Sequence, residues 1–456
     1  VKNKFRWIVA GLLFLASMIN YIDRSALAIV APMVKADLRI DDAQLGLIFS
    51  IFFIGYALFN FVGGYLSDRY GPKRVYGWAM GVWSVFCGLT AIATGFWELL
   101  FYRIVFGLGE GPMGSVTNKT VRNWFPRQES GLTVGIAISG GNLFGAVVAG
   151  PLVGFMALAL GWRGAFVAIM FLGLVWLAAW LLLVTDAPGE NRRVSRDELK
   201  TIEAGRETAT VRASSAAPLG RYLASPLIIA IAVAFFAANY IQYFLLFWMP
   251  SYLTAARGLD IKTMSIVTAI PWAVGMIGVV GGGLASDFLL RRTGRAVFSR
   301  KVIIVMALLV DAVCLAALLF ATTTTQAVSL MAIVMFVEAM IPIGCWTLLQ
   351  DLVPPSRVGS VGGYVHLVSN ISGIVGPALT GYIVQSSGGY GGSFALAGAV
   401  AIIGALAVLA FVRDGAAVAA APGAAGGSRM QGHAGVKGAR MSGEAADSNF
   451  NIERNE

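Results

Sequence analysis

Two short stretches set charged side chains inside apolar segments. "INYIDRSALA" (19–28) places Asp23 and Arg24 within an apolar run from Trp7 to Val34, and "YRIVFGLGEGPMG" (102–114) places Arg103 and Glu110 within another. A charge at the middle of a membrane costs ~2.5–3.5 kcal/mol on insertion scales, so such residues pair with one another or face a polar cavity. Two carboxylates can each take and release a proton, and a guanidinium can grip an anion through parallel hydrogen bonds. An anion that occupies the guanidinium changes the proton affinity of a neighbouring carboxylate. The chemistry implied is proton-coupled handling of an anion, with a purely structural salt-bridge network as the alternative. Asn20 and Tyr21, four and three residues before Arg24, share its helix face, which we expect to line a water-filled cavity. Arg103 and Glu110 are seven residues apart, two turns along one face, and Gly107, Gly109, Gly111 and Gly114 admit a close neighbour, helix or ligand.

The elements that must carry these residues are membrane spans. Of 456 residues, 57% are hydrophobic and only 13% charged, with 55 glycines, whereas soluble domains carry roughly 25% charged residues. A span needs about 20 apolar residues. Runs long enough occur twelve times, near 7–34, 44–66, 75–94, 98–118, 130–157, 162–184, 226–253, 264–289, 302–320, 326–350, 359–385 and 393–412. The expected fold is therefore all-α. A six-helix unit over 1–184 and another over 226–413 are joined by a charged linker, 185–225, with a surface helix near Ser195 to Glu207. The Ala/Gly/Ser-rich stretch 414–456 reads as a disordered tail. The first apolar run is too long, and lacks the small-residue cleavage site, for a removable signal.

Most of the 34 Lys and Arg residues fall in loops on one side, among them Arg69, Lys73 and Arg74, Lys119, Arg122 and Arg127, and Arg291, Arg292, Arg295, Arg300 and Lys301. The other side holds Lys35, Arg39, Arg163, Arg257 and Lys262. Both termini are then expected in the cytoplasm, and the net charge of +10 reflects topology, with no nucleic-acid partner. Cys87, Cys314 and Cys345 lie in separate apolar segments without metal-ligand spacing. Neither a P-loop nor a nucleophile elbow occurs, and "GLGEG" sits inside a span with no strand before it, so enzyme chemistry and direct ATP drive are not expected.

The halves repeat one another. "GYLSDRYGPKR" (64–74) follows the second span and "GLASDFLLRRTGR" (283–295) the eighth. This layout resembles the major facilitator superfamily. The resemblance implies that Gly64, Asp68, Arg69, Gly71 and Arg74, with Asp287 in the second copy, form a gating motif. Asp68 would brace the halves when the protein opens outward by contacting a helix N-terminus of the opposite half, a contact that breaks when the halves rock apart. "NYIDRSALAIVAP", "FYRIVFGLGEGP", "NYIQYFLLFWMPSYL" and "CWTLLQDLVPPSRVGSVGGYVHLVSNISGIVGP" resemble its anion:cation symporter branch, which includes bacterial proton symporters for hexuronates, galactonate and glucarate.

That resemblance implies roles residue by residue. Asp23 and Glu110 would carry protons, with Arg103 linking them. Arg24 would hold the substrate carboxylate beside Tyr21 and Tyr56, and Asn142, Trp346 and Asn370 would complete the site. Tyr240 and Tyr243 are gate or substrate contacts, or packing residues. The expected protein is a monomer in a bacterial inner membrane, needing no cofactor beyond the proton gradient. It would import a small organic anion such as a hexuronate, aldonate or aldarate. A proton-independent facilitator or exporter of other carboxylates is the alternative. Sugar-acid members carry hydroxyl residues just before the Trp346 position, where "PIGCW" supplies Ile343, Gly344 and Cys345, which leaves room for an aldarate, a shorter hydroxy acid or an aromatic acid. Asp311, Glu338 and His366 are further polar groups within spans, open to structural or cavity roles.

Overall fold

The computed structural model describes residues 4–205 and 218–413; the expected tail, 414–456, and the middle of the linker lie outside them. In lipid a chain satisfies its backbone by bonding within helices, and the described residues form helices without a strand. The first half comprises α1 (Arg6–Ile29), α2 (Ala31–Leu38), α3 (Asp42–Tyr70), α4 (Pro72–Leu89), α5 (Phe96–Glu110), α6 (Met113–Trp124), α7 (Arg127–Val134) and α8 (Gly141–Leu183). The linker contributes α9 (Arg196–Ala204) and α10 (Leu219–Leu223). The second half comprises α11 (Pro226–Ala255), α12 (Ile261–Val267), α13 (Ala269–Thr293), α14 (Ala296–Leu318), α15 (Thr324–Glu338), α16 (Met340–Leu352), α17 (Pro355–Ser387) and α18 (Gly391–Phe411).

Among the described residues ten helical segments are long and apolar enough to cross a membrane. Arg127–Leu183, 57 residues long, contains two of the expected spans, bent at Gly161, where φ is +72°. The α5–α6 span is missing from the ten because it carries Arg103, Glu110, Lys119 and Arg122 and breaks at Gly111–Pro112. The twelve spans of two six-helix bundles are thus accounted for. The first run, expected to continue to residue 34, instead ends at Ile29, and Pro32 opens α2. A proline supplies no backbone N–H and fits a helix only in its first turn.

The linker helix is shorter than expected and is not merely superficial. Ser195 caps α9 by accepting from the Glu198 N–H at 3.2 Å. The Glu198 carboxylate in turn accepts the Phe5 and Arg6 N–H groups, each at 3.0 Å. Arg6 forks onto Glu129 with two 3.0 Å bonds. These contacts fasten α9 to the first half.

The halves close against each other at one end. There the Asp42 N–H donates to Gln385 at 3.2 Å, Ser50 accepts from the Ala378 N–H at 2.8 Å, and Phe49 stacks on Phe247 at 4.8 Å. A Cβ on Gly46 would lie 2.6 Å from the Pro377 carbonyl oxygen, so glycine permits this approach of α3 to α17. At the far end of α3, Asp68 accepts from Lys119 of its own half at 2.5 Å. In this arrangement, sealed at the opposite end, Asp68 pairs with Lys119, whereas its expected contact with the other half belongs to the outward-open state. Lys119, by its hydrogen bond and then its charge, holds the exposed Asp68 carboxyl below the usual carboxylate range. Arg69 and Arg74 are exposed there, and Asp287 is exposed on α13.

Candidate substrate and proton site

The charged quartet is carried by α1 and α5, and side chains of α3 and α4 reach it where those two helices pack closely on α5. Close approach is set by small residues on α5. A Cβ on Gly107 would lie 2.1 Å from the Phe52 carbonyl oxygen of α3, and one on Gly109 would lie 2.7 Å from the Trp83 nitrogen of α4. These glycines admit helices; Gly114 faces open space.

Arg24 donates to Glu110 at 2.8 Å, and both side chains are almost wholly enclosed. A second bond reaches Asn20 at 3.4 Å. The guanidinium lies 4.9 Å from the Phe52 ring centroid, 5.1 Å from Tyr56, 5.3 Å from Tyr21 and 5.9 Å from Phe53. Ring faces attract a cation and exclude water from it. The polar face expected to line a water-filled cavity is closed over by these rings, leaving Arg24 only 4% exposed.

Asp23 points elsewhere, accepting from the Trp83 indole at 3.0 Å. Its other oxygen and the Glu110 Oε1 are buried without a hydrogen-bond partner among the described residues. Arg103 is buried under Phe106, 5.2 Å from its centroid, with Nε and Nη2 likewise unpartnered. It forms no salt bridge with Asp23 or Glu110 among the described residues, but its charge lies within electrostatic range of both acids. Arg24 instead engages Glu110, while Trp83 takes Asp23.

Phe53 joins this cluster to the second half, packing on Tyr243 at 4.5 Å between centroids. Tyr243 donates to Asn370 Oδ1 at 3.2 Å, and the Asn370 amide nitrogen lies 2.9 Å from His366 Nδ1 and 2.7 Å from the His366 carbonyl. His366 therefore orients Asn370. Trp346 is half-buried between Gly362 and Phe235. Tyr240 is buried beside Gly376 and Phe236. Asn142 is half-buried, with Oδ1 unpartnered among the described residues. Of the "PIGCW" positions, Gly344 packs on α14: a Cβ there would meet Ile304 at 2.7 Å, which gives its lack of a side chain a packing reason. Asp311 is fully buried, with both oxygens unpartnered among the described residues. Glu338 ends α15 within electrostatic range of Asp311, Tyr21 and Tyr243.

Sequence reasoning missed Trp83, Phe52 and Phe53. A tryptophan mid-span needs an acceptor for its N–H, and that signal could have paired Trp83 with a carboxylate. Nothing local marks the two phenylalanines as a cation cage.

Two helical bundles around buried, partly unpaired charges define a polytopic transporter. The family model described as Major Facilitator Superfamily matches residues 13–377 and 297–442, and the chain belongs to that superfamily. It is 45% identical to the hexuronate transporter of Bacillus subtilis (strain 168) over 403 residues, covering 88% of this chain and 93% of the relative. It is 32% identical to the probable galactarate/D-glucarate transporter GudP of Escherichia coli (strain K12), covering 90% and 94%. A solved bacterial homolog to the human lysosomal transporter Spinster, inward-facing and occupied, superposes with a TM-score of 0.72 at 18% identity, covering 89% of this chain and 96% of that one. At that identity the likeness speaks for the fold alone.

Proposed function

We propose that this transporter imports a sugar acid of the hexuronate class together with protons across a bacterial inner membrane. Its two six-helix units rock as rigid bodies about a midplane site. The Arg24–Glu110 pair carries the reading. Arg24 is the cation suited to the substrate carboxylate, and Glu110 already occupies it. For the substrate to replace Glu110, the displaced carboxylate must find another charge partner or accept a proton. Protonation is the low-energy route in a site closed by Phe52, Phe53 and Tyr56, so anion binding and proton binding favour each other. Asp23, whose second oxygen is free, is the other proton carrier. Tyr21, Tyr56, Asn142, Trp346, Asn370 and Tyr240 surround the polyol. The hexuronate and glucarate names of the relatives support this substrate class.

A monoanion entering a cell with a negative interior is opposed by about 2.3 kcal/mol per 100 mV. One co-transported proton cancels that term, and a second makes the potential assist entry. With both termini cytoplasmic, the Asp68 end faces the cytoplasm and the sealed Asp42–Gln385 end faces outward. The chain works as a monomer, without a cofactor. The test is uptake of radiolabelled D-glucuronate into proteoliposomes with an imposed acid-outside gradient. Accumulation should collapse when the gradient is dissipated, and uptake indifferent to the gradient would favour a facilitator or exporter instead.

A further inference from the structure

Beyond the central site, the sealed end carries a cavity of about 720 Å³. Small-molecule sites occupy roughly 300–1,000 Å³, so a single sugar acid fits. Both halves line the cavity: Lys35 and Asp42 come from α2 and α3, and Ser251 and Arg257 from the end of α11 and the turn after it. Its floor is aromatic, with Tyr252 edge-on to Tyr390 at 5.4 Å and to Phe394 at 5.2 Å.

The polar groups here are not fully used. The Arg257 guanidinium is held by the Tyr252 hydroxyl at 2.8 and 2.6 Å and by the carbonyls of Ala321 and Thr322 at 2.6 and 3.2 Å. All of these acceptors are neutral, so they fix the guanidinium without cancelling its charge. Ser251, 6% exposed, has a buried hydroxyl with no partner among the described residues. Lys35 pairs with Asp42 through partly exposed side chains, and a carboxylate arriving from solution competes for that ammonium. Among these lining groups two cations face one anion.

We propose that this vestibule is a second anion site, in which Lys35 of the first half and Arg257 of the second hold the carboxylate of a sugar acid before it reaches Arg24. The assignment of cargo and of the outward side rests on the proposed function. Positive charge at the mouth of a closed gate concentrates an anionic substrate there. Occupancy also draws Lys35 from Asp42, whose N–H forms the Gln385 clasp across the seam.

The test uses the purified full chain with Ala256→Cys, an exposed residue on the cavity lining, carrying an environment-sensitive fluorophore. Cys87, Cys314 and Cys345 are buried, so labelling is selective. D-Glucuronate should give a saturable signal that D-glucose does not. The signal should persist with Arg24→Ala and need about fivefold more ligand with Lys35→Ala, equivalent to ~1 kcal/mol. Thermal melting checks that each variant is folded, and Ser251→Ala, which removes only a hydroxyl, should weaken binding in the same direction. A silent label on protein that still binds D-glucuronate by calorimetry overturns the vestibule and leaves the central site standing. A vestibule signal with no calorimetric binding attributable to Arg24 does the reverse. An equal response to D-glucose, or an affinity unmoved by Lys35→Ala, overturns the proposal. So does a signal abolished by phosphatidylglycerol, which would make the occupant a lipid headgroup.

Discussion

Glu110→Gln separates charge from shape at the centre of the site. The amide keeps an oxygen that can accept from Arg24 Nη2 at the present 2.8 Å but loses the charge and the exchangeable proton. Deleting one member of a buried ion pair costs ~3–5 kcal/mol when the other is stranded. A retained charge-assisted hydrogen bond is worth ~1.5–3 kcal/mol, so the net loss of stability should be about 1–3 kcal/mol and the variant should fold. Function should change more sharply. On the proposed mechanism the substrate displaces Glu110 only as that group gains a proton, so in the parent affinity should fall with rising pH by up to about tenfold per unit, the limit for one linked proton. In Glu110→Gln the site stays in the protonated-like state. Calorimetric D-glucuronate affinity should then lose that slope and equal or exceed the parent's at alkaline pH. Counterflow exchange should survive and uphill accumulation should vanish. A variant that keeps the parent's pH slope, or accumulates substrate as the parent does, refutes the competition between Glu110 and the anion.

Other consequences are as specific. Arg24→Lys keeps the charge but not the fork, so D-glucuronate binding should weaken about tenfold to a hundredfold in calorimetry, ~1.4–2.8 kcal/mol; unchanged affinity would remove Arg24 from the substrate. Gly46→Val drives a side chain into the Pro377 carbonyl, 2.6 Å from the first added carbon, and should part the outer seam. Ser50→Cys in that background should then react with an impermeant maleimide from outside, as it should not in the parent. Glu198→Ala removes the acceptor of two 3.0 Å backbone bonds at Phe5 and Arg6 and should destabilise the first half by about 1–3 kcal/mol in melting experiments. The Asp68 carboxyl is depressed by Lys119, so their pairing is intact above the ordinary Asp value near about 4 and lost only as pH falls through the lower folded value. Lys119→Ala should therefore leave the shape of the uptake profile from about pH 5 to 8 unchanged.

The quartet was legible because charge inside an apolar run needs a reason, and the spans because hydropathy over about 20 residues has few other meanings. Asn20, Tyr21 and Arg24 proved to share a face, as their spacing required. What sequence spacing could not supply was the choice of partner. Asp23 and Arg24 are adjacent yet go separate ways, to Trp83 on α4 and Glu110 on α5. Arg103, on the same helix as Glu110, forms a salt bridge with neither acid among the described residues, although its charge acts on both. The aromatic closure over Arg24 was equally hidden, because phenylalanines in a span resemble ordinary packing until another helix brings a cation beneath them. The Asp68–Lys119 pair was equally unreadable, because the two residues lie 51 positions apart on α3 and α6 and only the folded arrangement brings them together.

The most direct measurement is the number of protons taken up when D-glucuronate binds to purified protein in weakly buffered solution, read with a pH-sensitive dye. At the pH where affinity falls about tenfold per unit, the parent should absorb close to one proton per bound anion through Glu110, and Glu110→Gln should absorb correspondingly fewer. Binding without proton uptake at that pH, or uptake unaltered in both Glu110→Gln and Asp23→Asn, would contradict coupling through these buried acids.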